Sequence, residues 1–368
     1  MWDIFMNLFE SELHALLGFN RITLGSPRHA TRLLHGFDSA QAFFSEYRPN
    51  LINLPPRLAS RLANPASQEI SKGIRQDLTW LEQDGRALVS IFDDAYPFLL
   101  QQIDDPPVCL FCMGEPGLLK KEQIAIVGSR KPTQLGLKVA HHFSSELASQ
   151  GLVVTSGLAH GIDAAAHIGV LEVEGETIAV FGSGLDTIYP RNHERLAQRV
   201  IKKGLIISEF PIGTQPLGRY FPQRNRIVTG LSLGTLIIEA TLKSGSMISA
   251  SMAMEQCREV FAIPGSIYSS QSEGCHELIK LGAKLTQRVD DILEELSGYG
   301  RETGINAVAN LTEEANGILH YISADPLSVD DLFELTQVPI PSLLSQLLNL
   351  ELDGHIVNES MGYVKASH

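Results

Sequence analysis

The chain has 368 residues, of which 44% are hydrophobic and 19% charged, and carries a net charge of −13 at pH 7. That length points to two or three domains, and the composition excludes a disordered chain. No apolar run reaches the roughly 18 residues of a membrane span, and acidic Asp3 and Glu10 stand where a secretory leader is basic, so a cytoplasmic protein is expected.

Residues 1–90 read as a small helical domain of the helix-hairpin-helix or SAM-like kind. Leu13, Leu16 and Leu17, then Leu33, Leu34 and Phe37, recur at helical spacing, with breaks at Gly25-Ser26-Pro27 and Pro55-Pro56. The tight Gly-x-Gly hairpin by which such modules hold a phosphate is not evident, so packing is its expected role. The run Val108-Cys109-Leu110-Phe111-Cys112 reads as buried thiols. With Cys257 and Cys275 as the remaining cysteines, no metal site is expected, and no cofactor.

Residues 91–297 alternate between short apolar runs and helical stretches. The runs are Ile124–Val127, Leu152–Val154, Thr177–Phe181, Leu205–Ile207, Thr235–Ile238 and Val260–Ile263, with a helix expected over Gln134–Ser149. Short continuous apolar strands separated by helices predict a Rossmann-like, doubly wound α/β sheet, parallel and buried on both faces. Gly128, Gly157, Gly182, Gly184 and Gly265 fall at the strands' carboxyl ends, where open α/β sheets bind ligands. Simple turn geometry also explains single glycines there.

Three turns in this block carry chemistry. Gly128-Ser129-Arg130-Lys131-Pro132 follows the first strand. It lacks the Gly-x-Gly-x-x-Gly dinucleotide fingerprint, and Thr155-Ser156 ends the next strand in place of a ribose-binding acid, which excludes an NAD enzyme. A helix N-terminus with a hydroxyl and two cations suits a phosphate; the alternative is a solvated basic turn. Phe221-Pro222-Gln223-Arg224-Asn225-Arg226 offers a ring for base stacking and guanidinium groups for phosphates, or else a salt-bridged loop before a helix. Lys243-Ser244-Gly245-Ser246 precedes a helix expected from Met247, as an anion site or a plain serine cap. Glu239 can orient a cation, cap a helix or meet a ribose. His160, Asp163 and His167 lie one helical turn apart and read as structural. No Walker-type run is present, so ATP hydrolysis is not expected.

Charge is uneven along the chain. Residues 1–117 hold 9 basic and 14 acidic side chains, residues 118–297 hold 18 of each, and residues 298–368 hold 2 and 10. Between Pro190 and Arg226, Arg191, Arg195, Arg199, Lys202, Lys203, Arg219, Arg224 and Arg226 meet only Glu194 and Glu209, the local excess an anion-binding face requires. After a linker at 298–310, residues 311–368 read as a winged helix. Helices are expected near Ile318–Ile322, after the cap Ser328 and over Ser342–Leu352, with a hairpin around Met361-Gly362.

Together these segments resemble the DNA-processing protein A family (DprA, also called Smf). The matching stretches are Tyr96-Pro97 with Ile103-Asp104-Asp105-Pro106-Pro107, Ile126-Val127-Gly128-Ser129-Arg130, Ser156 through His167, Ser208-Glu209-Phe210-Pro211, Phe221 through Arg226, Lys243-Ser244-Gly245-Ser246 and Ile263-Pro264-Gly265-Ser266. The resemblance implies a homodimer that binds single-stranded DNA, protects it and loads RecA recombinase onto it in natural transformation and recombination, without being an enzyme. It implies phosphate contacts from Arg130, Lys243, Arg224 and Arg226, a pocket shaped by Gly128, Ser129, Gly157, Ser244 and Gly245, and Ser156, Phe221, Asn225 and Ser246 in the same site. The alternative is a nucleotide-handling enzyme of the nucleoside monophosphate hydrolase type. Gly234-Thr235 followed by Glu239 suits it, but Leu231-Ser232-Leu233 replaces the Gly-Gly pair that such enzymes need.

Overall fold

Ser11 opens helix α1 (Glu12–Thr23) by accepting from the His14 amide, and α1 buries Ala15, Leu16, Phe19 and Ile22 at helical spacing. Helix α2 (Pro27–Leu34) begins with a proline, which costs nothing where the N–H has no helical partner. Both Glu12 carboxylate oxygens accept from the first amides of α3 (Ala40–Glu46), at 2.7 and 2.9 Å. Helices α4 (Pro56–Ala63) and α5 (Gln68–Leu81) follow. Phe19 and Phe43 meet edge to face at 4.9 Å in this small core. The computed structural model describes residues 11–46, 54–296, 321–322, 327–336, 343, 347, 350, 356–359 and 362–365. It divides into two units, Met1–Leu293 and Glu294–His368.

The first unit continues through β1 (Arg86–Ser90), α6 (Phe98–Gln101), β2 (Cys109–Gly114), β3 (Gln123–Val127), α7 (Gln134–Ser149), β4 (Val153–Ser156), α8 (Ile162–Glu172) and β5 (Thr177–Val180). Then come α9 (Glu194–Lys203), β6 (Leu205–Ser208), α10 (Tyr220–Gly230), β7 (Gly234–Ile237), α11 (Gly245–Glu255), β8 (Glu259–Ala262), α12 (Glu273–Lys280), β9 (Lys284–Leu285) and α13 (Asp290–Leu296). The sheet order is β1-β2-β6-β5-β4-β3-β7-β8-β9. From β6 to β9 every neighbour is parallel, whereas β1 pairs with β2, and β2 with β6, antiparallel. Each expected apolar run is a strand; β1, β2 and β9 extend the sheet beyond them.

The pleat sorts side chains by alternation. Cys109, Phe111 and Met113 of β2 join the helices α1–α5 and α9 on one face, while Leu110 and Cys112 join α10–α12 on the other. Trp80 of α5 stands edge-on to Phe111 at 5.9 Å, so the N-terminal helices pack directly on the sheet. Between β3 and β7 the chain's winding reverses: β3 leads to β4, β5 and β6 on one side, and β7 to β8 and β9 on the other. A crevice opens at such a switch point, outside the carboxyl ends of the strands.

In the second unit Ser328 caps α14 (Val329–Thr336), accepting from the Asp331 amide at 3.2 Å. Leu332, Leu343, Leu347, Leu350 and Ile356 form its core with Ile322. Strands β10 (Ile356–Glu359) and β11 (Gly362–Lys365) make the antiparallel wing. Most of the helix expected near Ile318–Ile322 and much of the one over Ser342–Leu352 lie outside the described residues, as does Met361. Among the described residues no helix is long and apolar enough to cross a membrane.

Candidate functional site

A cleft of about 630 Å³ occupies the switch point. Its walls are the β3–α7 turn, the β4–α8 loop, the first turns of α10 and the N-terminus of α11. Close packing dictates Gly128: a Cβ there would lie 2.6 Å from Cγ1 of Ile162. Ser129 Oγ accepts from the Lys131 amide at 3.1 Å and tightens the turn. Thr133 caps α7, its Oγ1 accepting from Gly136 at 3.0 Å. Glu239, at the end of β7, accepts from the Thr133 amide (2.8 Å) and hydroxyl (2.5 Å), joining the two sides of the switch. Both oxygens of the carboxylate that a hydrolase would turn on a ribose are thus engaged by a helix cap.

The β4–α8 loop is held from beneath. Asp163 Oδ2 accepts from the amides of Gly157 (3.1 Å) and Ala159 (3.3 Å). Leu158, buried with φ at 54°, sits in the left-handed region, and His193 Nδ1 donates to its carbonyl at 2.9 Å. The sharp turn presents Gly157 to the cleft, where a Cβ would collide with the Arg224 guanidinium. Arg224 is 3% exposed and donates from Nη1 to the Val180 carbonyl. Burial lowers its pKa to about 10, opposed by Asp163 and assisted by Arg130, so it stays charged at neutral pH. Burial pushes Asp163 up, against Arg224.

At the rim Arg130 is exposed and Phe221 half-buried. The Arg130 guanidinium lies 5.4 Å from the centre of the Phe221 ring, and Phe221 lies 5.5 Å from Tyr189. Asn225 lines the same wall. On the far side, Ser244 stands at the N-cap of α11 but makes no side-chain cap bond; its hydroxyl meets that of Ser246 at 3.0 Å. Gly245 and Ser246 line the cleft with the first amides of the helix.

The structure therefore brings together Gly128, Ser129, Arg130, Gly157, Phe221, Arg224, Asn225, Ser244, Gly245 and Ser246. Three expected residues do not line the cleft. Ser156 is buried and donates to the Ile126 carbonyl at 2.6 Å. Lys243 is exposed, one residue before the α11 cap. Arg226, expected on phosphate, is buried: Nη2 donates to Glu209 at 2.6 Å, and Nε lies 3.3 Å from Asp105. Burial raises both carboxylates and Arg226 opposes it. The aromatic–arginine motif lies within α10, not in a loop before it, and a helix turns residues two apart to nearly opposite sides.

Nor is the basic stretch from Pro190 to Arg226 one face. Arg195, Arg199, Lys202 and Lys203 form the exposed side of α9, Arg219 packs over Tyr220, and Arg224 and Arg226 are interior. Sequence reasoning missed Tyr189 and Gln271. Tyr189 belongs to no motif, and Gln271 arrives from the loop after β8, donating to the Lys131 carbonyl at 3.3 Å.

The profile of the family described as DNA recombination-mediator protein A matches residues 87–297, and that of the DprA winged helix domain matches residues 306–360. Protein Smf of Escherichia coli is 41% identical over 304 residues, covering 80% of this chain and 81% of its own. The X-ray structure of DNA processing protein A from Streptococcus pneumoniae superposes with a TM-score of 0.67 at 36% identity, covering 77% of this chain and 98% of its own. DNA processing protein A from Helicobacter pylori, described for its single-stranded DNA binding mode, gives a TM-score of 0.53 at 32% identity, covering 58% of this chain and 96% of its own.

Proposed function

Because the chain belongs to the DNA recombination-mediator protein A family, we propose that it binds single-stranded DNA across the switch-point cleft. The observation that carries the reading is the layering of one site: Arg130 over Phe221 at the rim, Arg224 charged beneath, and the uncapped N-terminus of α11 opposite. Rings stack on bases only when those bases are unpaired, while guanidinium groups and helix amides hold phosphates of any sequence. Binding is therefore tolerant of sequence. Phosphate contacts are assigned to Arg130 and Arg224, with Lys243 at the edge and Arg226 excluded by its carboxylate partners. The protein acts as a binder and not an enzyme, as a cytoplasmic homodimer that protects incoming strands and loads RecA recombinase onto them.

The test is a salt titration of the whole chain with single strands of several sequences and with duplex. Arg130→Ala should weaken every single strand by about tenfold and reduce the salt slope by about one. A preference for duplex, or an unchanged affinity and slope in R130A, would overturn the assignment. Sedimentation of the whole chain as a monomer at working concentration would remove the homodimer.

A further inference from the structure

Arg130 belongs to two concavities. Beyond the cleft it also lines a groove of about 760 Å³ between α7 and α8. Lys138, His141 and His160 stand on the walls of this groove, with Leu137, Ala164 and Ile168 among its apolar lining. Among the described residues no carboxylate lines it, in a protein with a net charge of −13. Glu172, which approaches from α8, is engaged by His141 at 2.7 Å. The helices pack tightly at Gly169, where a Cβ would strike the His141 carbonyl and the Ser144 hydroxyl. Small Ala164 and Ala165 leave the space open nearer the cleft.

We infer that a single strand leaving the cleft past Arg130 continues along the α7–α8 groove. Lys138 meets its backbone there, and the apolar lining lies against its bases. This rests on the cleft being the single-strand site. Continuity is one argument, since the same guanidinium closes one concavity and opens the next. Charge is the second: cations without carboxylates attract a polyanion in an otherwise acidic protein. The apolar lining is the third, because an unpaired strand offers base faces that a duplex keeps stacked inside.

The experiment compares oligothymidylates of about 5 and about 15 nucleotides, bracketing the range of spans taken by single basic grooves, on the whole chain and on Lys138→Glu. Lys138 is exposed, so the fold is not at stake. Wild type should gain affinity with length, and K138E should cut the long-to-short affinity ratio by about fivefold and lower the salt slope of the longer strand. In wild type, photo-crosslinks from thiothymidine placed outside the first five positions should map to residues 134–141. An unchanged ratio in K138E with no such crosslinks, while the short strand still binds, overturns the groove and leaves the cleft standing. Failure of wild type to bind either strand removes the cleft reading itself, and the groove with it. A change of oligomeric state in K138E would instead make the groove a surface between two copies and overturn the inference.

Discussion

Arg224 and Arg226, two positions apart on α10, are put to different uses. Arg224 faces the cleft, while Arg226 is enclosed by Glu209 and Asp105. Removing one member of a buried ion pair strands the other charge, so Arg226→Ala should cost about 3–5 kcal/mol in urea unfolding, with much less effect on the affinity of the folded protein for DNA. Full stability with lost binding would return Arg226 to the phosphate set. His167 gives a pH signature. The Thr177 hydroxyl donates to the Val154 carbonyl at 2.6 Å, so it accepts from His167 Nδ1 at 2.8 Å. Nε2 is then a buried acceptor without a hydrogen-bond partner among the described residues, and burial holds the pKa at about 3, against 6.5 in the unfolded chain. The unfolded state takes up the proton first. Stability from neutral His167 is complete above 6.5 and is lost as pH falls toward 3. Between pH 7 and pH 5 that loss is about 2 kcal/mol. His167→Asn lacks this slope, so its stability deficit should shrink over that interval; a constant deficit would refute the linkage.

At the scale of elements, the N-terminal helices are fastened to the segment that leads into α10. Asp77 of α5 is fully buried and accepts from Arg21 at 2.6 and 2.7 Å and from the Ile212 amide at 2.9 Å. Arg21 in turn donates to the Ile212 carbonyl at 3.0 Å, and Asn20 to the Glu209 carbonyl at 3.2 Å. Asp77→Ala should destabilise the first unit by about 3–5 kcal/mol and speed hydrogen exchange at Ile212. Unchanged exchange there would show that the joint is held by apolar packing alone. The strands β3–β8 were legible because parallel strands buried on both faces are continuous apolar runs. Strand β1 was not, since Arg86-Ala87-Leu88-Val89-Ser90 is a mixed edge segment, and two-residue β9 is too short to leave a pattern. Pro222 lies in the first turn of α10, where its missing N–H has no helical partner to lose. The Gly128-Ser129-Arg130 turn was readable because its geometry is local. The partners of Arg226 were not, because sheet topology brings Asp105 and Glu209 to it.

For the whole molecule the deciding quantity is where the charge sits. Residues 298–368 hold Arg301 and Lys365 against 10 acidic side chains, more than half of the net −13 in a fifth of the chain. A winged helix that reads duplex DNA places a helix in the major groove and anchors it with cations on phosphates. Here α14 contains Asp330, Asp331 and Glu334 and no cation, and the stretch Ser342–Asp353 has no Lys or Arg and ends in Glu351 and Asp353. Such a unit should repel a strand within a Debye length of roughly 10 Å at 0.1 M salt, and is better matched to a protein partner than to DNA. Ending the chain after residue 297 changes its net charge from −13 to −5. Single-strand affinity should then stay the same or rise, with any gain largest at low salt and gone at high salt, as field repulsion requires and a lost contact does not. The measurement is a pair of salt titrations, full chain against truncated chain, with circular dichroism and melting to show that the first unit remains folded. A large loss of affinity in a folded truncated chain would place DNA contacts in the second unit, and the charge argument would fail.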